Sequence, residues 1–245
     1  MEPQITRITR ITREIPCRGI AYLIFRQCGA QALGEQLDRE VRTMADLGAR
    51  EIYAASTDPA APLAETETGP VRLTHVHDML EMERALEAGR PRPQGRLAAE
   101  PLTGELGERW LSIYNEAFAA VPNAATYGPE ELSEQLAKPG SCGLVLEDGA
   151  PVGIYELDLR TGEIEGIGLR QAARGRGLGR ELLLLAMDLL AGQGYDRCWL
   201  QVSTANEAAY RLYSETGFST RRVRSRWFRA EWNGQKDRDV EEDGK

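Results

Sequence analysis

The chain has 245 residues, 42% apolar and 28% charged, enough to bury a core in one large domain or two small ones. Its formal net charge of -8 excludes a general nucleic-acid binder, which needs a basic surface to displace counterions. Cys17, Cys28, Cys142 and Cys198 form no Cys-x-x-Cys pair, so the sequence predicts reduced thiols in a cytoplasmic protein rather than a disulfide framework or zinc site. The first residues lack the basic start and apolar run of a signal peptide, and no apolar run is long enough to span a bilayer.

In chain order, the repeat ITRITR near the N-terminus reads as an exposed segment or a strand edge. AYLIFRQ (21–27) predicts a strand, followed by Ala32-Leu33-Gly34, a long helix, and a second strand in GAREIYAAST (48–57). His75 and His77 alternate on a further predicted strand, with both rings on one side and Asp78 on the other. With no third ligand near, no metal site is expected. AGRPRPQ (88–94) breaks regular structure and marks a division near residue 93.

The second half alternates helices and strands. Leu106 to Ala120 carries an apolar stripe of Leu106, Trp110, Ile113, Tyr114 and Phe118, the helical pattern, and Pro129 opens a second helix to Ala137. Strands are expected at 142–146 and 152–159, joined by a hairpin turn at Asp148-Gly149, and then at Glu163 to Leu169. A helix over Leu178 to Leu190, a strand over Arg197 to Val202, a helix over Asn206 to Glu215 and a final pair of strands over Phe218 to Ala230 follow. RRVRSRWFR (221–229) reads as the solvated side of that ending, though its arginines could also line a cleft. The tail 233–245 is highly charged, with one apolar residue, and is expected to lack order.

The two halves share landmarks in the same order. GAREIYAAST matches GYDRCWLQVST (194–204) with one insertion. AYLIFRQ with Ala32-Leu33-Gly34 mirrors EGIGLRQ (165–171) with Gly177-Leu178-Gly179, and Glu67-Thr68-Gly69 echoes Glu215-Thr216-Gly217. The ordering predicts a duplicated fold whose first copy is truncated.

The run Arg174-Gly175-Arg176-Gly177-Leu178-Gly179 stands between a predicted strand and a strongly apolar helix. Glycines there expose backbone amides at a helix N-terminus, where the dipole favours an anion, and Arg174 and Arg176 can add charge-assisted bonds. A pyrophosphate fits such a cradle. The spacing matches neither the dinucleotide fingerprint, since Arg180 stands at its last glycine, nor the Gly-Lys-Ser/Thr phosphate loop. Strand alternation predicts Glu163, Glu165, Ile167 and Leu169 on one face, which sets two carboxylates side by side.

These motifs, with Asn206 and Leu212-Tyr213-x-x-x-Gly217-Phe218, resemble the GNAT superfamily of N-acetyltransferases, whose Arg/Gln-x-x-Gly-x-Gly/Ala signature falls on residues 174–179. The resemblance covers about the last 135 residues. It implies a mixed α/β fold with a mostly antiparallel sheet flanked by helices, preceded by a second, truncated domain of the same kind. The domains are then 1–92, degenerate and non-catalytic, and 93–232, catalytic, a plan similar to that of tandem members of the superfamily.

By this resemblance the backbone around Ile167, Gly168 and Leu169 pairs with the pantetheine arm of acetyl-CoA. The amides from Gly175 to Arg180, with Leu178 and Gly179 among them, take its pyrophosphate, and Asn206 touches the arm or caps its helix. Glu163, ahead of Glu165, is expected as the base that deprotonates a primary amine, and Tyr213 as the acid that protonates the leaving sulfur. In the first half Pro59 replaces Asn206, the glycine loop (28–34) lacks its arginine, and no tyrosine stands near Gly69. The implied partners are an amine substrate and possibly a second copy of the chain, not nucleic acid or membrane. The competing reading is a non-catalytic module that binds or senses acetyl-CoA. The acceptor has no legible motif.

Overall fold

A computed structural model describes residues 7–27, 30–58, 62–66, 70–86 and 95–232, with only the backbone at 30–32. The linker at 88–94, the tail at 233–245, Cys28, Pro59 and the 67–69 landmark lie outside the described residues. The elements are β1 (Arg7–Ile11), α1 (Ile15–Arg18), β2 (Ile20–Gln27), α2 (Ala30–Asp46), β3 (Glu51–Ser56), β4 (Val71–Ala85), β5 (Leu97–Pro101), α3 (Gly107–Phe118), α4 (Pro129–Leu136), β6 (Cys142–Glu147), β7 (Ala150–Asp158), β8 (Glu163–Leu169), α5 (Leu178–Gly192), β9 (Arg197–Ser203), α6 (Glu207–Glu215) and β10 (Ser219–Trp232). β1 and β2, β3 and β10, β5 and β6, β6 and β7, and β7 and β8 pair antiparallel, while β2 with β3 and β8 with β9 pair in parallel. The fold is therefore a mixed α/β one with mostly antiparallel strands. The described residues form two compact units, one of those up to Met79 with those from Val223 onward, the other of those between Leu80 and Arg222, so β4 and β10 each contribute to both. The boundary falls inside β4, between Met79 and Leu80, and not at residue 93.

In the first unit the strands follow the order β1-β2-β3-β10-β4, with ITRI at an edge. β2, α2 and β3 form a parallel crossover unit. Leu37, Val41 and Met44, at helical spacing on α2, pack on Leu23, Phe25, Ile52 and Phe228. The two histidines do not share a side as their alternation predicts. His75 meets Phe228 edge-on while His77 stacks on Trp227, and these neighbours belong to cores on opposite faces. Asp78 nonetheless reaches back to His75, at 2.8 Å. No group of three metal-ligating side chains occurs among the described residues.

In the second unit the order is β4-β9-β8-β7-β6-β5. α5 lays Leu178, Leu182, Leu183, Ala186 and Leu190 on one face of the sheet, against Ile164, Cys198, Leu200 and Val202. Burying a leucine side chain contributes roughly 1.5–3 kcal/mol, so these four leucines contribute several kcal/mol to local stability. On the opposite face α3 packs Trp110, Ile113 and Tyr114 on Leu144 and Ile154. The hairpin turn between β6 and β7 has positive φ at both Asp148 (50°) and Gly149 (77°), as a two-residue hairpin requires. The ending is one strand of 14 residues rather than a pair, since nothing in Ser219–Trp232 interrupts it with turn chemistry. Among the described residues no helix is long and apolar enough to cross a membrane.

Candidate active site

The site is built where β8 and β9 part. The two parallel strands pair only at Glu163–Trp199 and Ile164–Leu200, whereas β8 stays paired with β7 as far as Leu169. From Glu165 onward, one edge of β8 thus has no ladder partner. An extended chain bearing amides can add to such an edge as a further strand.

The chain then turns into α5 through the glycine loop. Gly175 (φ 74°) and Gly177 (φ 80°) are left-handed, which an L side chain adopts only at a cost, and Gly177 caps the helix. The N–H groups of Gly175, Arg176 and Gly177 donate to no acceptor among the described residues. A Cβ on Gly175 would meet nothing within 4 Å, and one on Gly177 only Arg96 Nη2 at 4.0 Å. The bend is open, its amides are at a helix N-terminus, and an anion is the partner they suit.

The arginines divide by role. Arg174 donates to the carbonyls of Leu169 and Ala117, which braces the turn rather than pointing its charge outward. Arg176 pairs with Glu147 at 2.9 Å, and Arg180 is exposed. Arg96, which the sequence did not single out, reaches the loop from the start of β5, bonding Glu181 and the carbonyl of Arg176. Gly179 lies in the first turn of α5, and Leu178 beside it is buried and anchors the helix.

The predicted alternation along β8 is broken. Glu156–Gly166 and Leu157–Ile164 are successive pairs with β7, so Glu165 is an extra residue, a β-bulge. Glu163 and Glu165 still share the face of α3 and α4, but Ile167 and Leu169 turn to the α5 core. Gly166 and Gly168 take their place beneath α3, and a Cβ on Gly168 would stand 2.7 Å from that of Ala117. The glutamates and the backbone of 167–169 thus remain adjacent, while the side chains no longer line one face.

Glu163 accepts a bond from Gln201 Nε2 at 2.9 Å. Glu165 lines a cavity of about 200 Å³ with Lys138, Ser141, Asp158 and Arg160. Desolvation by these walls raises its proton affinity, Asp158 adds to the effect, and Lys138 and Arg160 oppose it. Beside it stands a residue that sequence reading missed, Glu156 on β7, buried at 3% exposure beneath Tyr127 and Gln135. The only signal for it was a carboxylate directly between Tyr155 and Leu157 in a largely apolar run.

Tyr213, on α6, packs against the α5 core with its ring 5.9 Å from Phe218. Burial pushes its phenol up to about 12, so it stays protonated and can donate. Asn206 caps α6 by accepting from Ala209 N at 3.3 Å, and its amide donors are left for other contacts.

Comparison with known proteins fits this geometry. The model of the Acetyltransferase (GNAT) family matches residues 108–218. Mycothiol acetyltransferase of Beutenbergia cavernae is 34% identical over 183 residues, 65% of this chain and 60% of its own length. That of Mycobacteroides abscessus is 30% identical over 203 residues, 77% of this chain and 67% of its own. The chain thus spans about 60% of the first relative's length. A GCN5-related N-acetyltransferase of Sphaerobacter thermophilus shares the fold, with a TM-score of 0.60 at 17% identity over 91% of this chain and 76% of that one. The matched segment holds the parted strands, the open loop and Tyr213, and the chain belongs to the GNAT family of acetyltransferases.

Proposed function

We propose that the chain moves an acetyl group from acetyl-CoA, the co-substrate of its family, to a primary amine. The observation that carries this reading is the edge of β8 freed beyond Ile164, which leads directly to the open amides at 175–177. Together they offer strand-like pairing for the pantetheine arm through Ile167 to Leu169, then a helix N-terminus for the pyrophosphate. Arg96 and Arg176 supply nearby positive charge, and Asn206 has donors for the arm.

The chemistry follows from what surrounds that path. The acceptor ammonium gives its proton to a carboxylate on the α3–α4 face of β8, where Glu163 and Glu165 stand. Its nitrogen forms the bond to the acetyl carbon as the carbon–sulfur bond breaks, and Tyr213 hands a proton to the departing sulfur. The parallel units β2-α2-β3 and β8-α5-β9 support a duplicated plan in which the first half, lacking the tyrosine and Asn206, is a non-catalytic partner.

The test is thiol release from acetyl-CoA across a panel of amines, with mass detection of one added acetyl group. The panel includes the substrate of the mycothiol acetyltransferases to which the chain is related. Acetylated product with release of one thiol per acetyl group is expected. Binding of acetyl-CoA without turnover on any amine would instead support a sensing module.

A further inference from the structure

Among the described residues, four glutamates are buried to 3% exposure or less, namely Glu14, Glu40, Glu81 and Glu156. A buried carboxylate is costly unless a cation or several donors compensate it. Three of them have arginines. Glu40 meets Arg10 at 2.5 Å, Glu81 meets Arg222 at 2.9 Å and Arg221 at 3.5 Å, and Glu14 lies 3.8 Å from Arg18. Glu156 is different. Its hydrogen-bond partners among the described residues are both neutral, Gln135 Nε2 at 2.5 Å and the Tyr127 hydroxyl at 3.3 Å. The bulge also sets a second carboxylate, Glu165, across the ladder from it on the neighbouring strand. Its Oε2 lies 3.3 Å from where a Cβ on Gly166 would stand, directly over β8 at the bulge and beside the point where β9 departs.

We propose that Glu156 and Glu165 act as one proton-holding pair, with Glu165 at the cavity taking the acceptor's proton and Glu156 beneath it, a positioning residue, strengthening the pair's hold. This rests on the acetyl-transfer reading. In the step an N–H bond of the acceptor ammonium breaks, an O–H bond forms on Glu165, and the electron pair left on nitrogen attacks the acetyl carbon.

The electrostatics agree with the geometry. Burial first, then the charge of Glu165, pushes Glu156 up to about 7, against the Tyr127 hydrogen bond and Lys138. The other groups packed around the pair do not undo this. Cys142, opposite Glu156 on β6, is itself pushed up to about 11 and stays neutral, α3 presents apolar Phe118, and Arg160 is bound to Asp158. Two carboxylates that influence each other in this way titrate as a unit, and the doubly ionised form is a base matched to neutral pH.

Carboxyl titration of the full-length chain by ¹³C NMR, in parallel with kcat/KM against pH for whichever amine is acetylated, tests the pair. One carboxyl should titrate near 7, vanish in Glu156→Gln, and move down in Glu165→Gln. The acid limb of kcat/KM should fall near the same pH and shift downward by more than one pH unit in Glu156→Gln. Turnover at neutral pH should drop about 10²-fold in Glu165→Gln, with acetyl-CoA affinity unchanged in both variants. A limb that stays put in Glu156→Gln, or no carboxyl titrating above the ordinary range, overturns the pair. A folded chain that shows the titration yet acetylates no amine overturns the acetyl-transfer reading instead.

Discussion

Gln201 donates from Nε2 to Glu163 at 2.9 Å, across the seam whose last ladder pair is Ile164 and Leu200. That bond fixes the Glu163 carboxylate at the seam, beside the path laid out for acetyl-CoA, where it can hold the acceptor's positive charge. Glu163→Gln should raise KM for the acceptor about tenfold, the value of one charge-assisted contact, and leave kcat nearly unchanged. Steady-state kinetics with a cationic acceptor would decide. A collapse of kcat together with loss of the acid limb would return the role of base to Glu163.

Tyr213 makes a separate prediction at the alkaline end. A proton donor must be protonated to act, and an unperturbed tyrosine begins to fail near pH 10. Burial pushes Tyr213 up to about 12, so turnover should show no alkaline fall through the range where an ordinary phenol ionises. Tyr213→Phe should lower kcat by about 10²-fold while the acetyl-CoA dissociation constant holds. A weakened dissociation constant with normal kcat would reduce the tyrosine to a binding contact.

Gly177 isolates backbone strain from steric clash. Its φ of 80° is left-handed, yet an added Cβ would find only Arg96 Nη2, at 4.0 Å. Gly177→Ala should therefore cost about 1–2 kcal/mol through the backbone alone. It should also tilt the loop amides, so acetyl-CoA should raise the melting temperature less in the variant than in the parent. Equal ligand-induced shifts would mean that the amides at 175–177 do not bind it.

The glycine loop, the limits of β8 and the helix after it were legible because each is written in neighbouring residues: glycines at a turn, then an apolar run. Glu163, Glu165 and Tyr213 could be singled out by their place in a motif, but their surroundings could not. The bulge at Glu165 depends on how β7 takes up Gly166, and a period-two reading has no means of seeing the extra residue. Glu156 was hidden for the same reason, since its neighbours Tyr127, Gln135 and Gly166 come from three separate segments. Arg96 stands close to the loop because Glu181 and the carbonyl of Arg176 hold its guanidinium. The opposed histidines of β4 show the same limit, because alternation assumes a regular strand.

Glu156 finally predicts a stability effect that needs no substrate. Its carboxyl holds a proton up to about 7 in the folded chain against 4.5 as its ordinary value, so between these pH values the folded state binds more protons than the unfolded one. Stability must then fall as pH rises through that window, by about 3 kcal/mol if the whole difference is realised. The charge is paid for by the rest of the fold. Glu156→Gln keeps the shape and can still accept from Gln135, but never ionises. Its melting temperature should match the parent near pH 4.5 and exceed it by several degrees at pH 8. Thermal melts of the two chains across that range measure the difference directly. A variant that melts lower at pH 8 would show that the ionised carboxylate is well compensated, and that Glu156 is an ordinary structural acid.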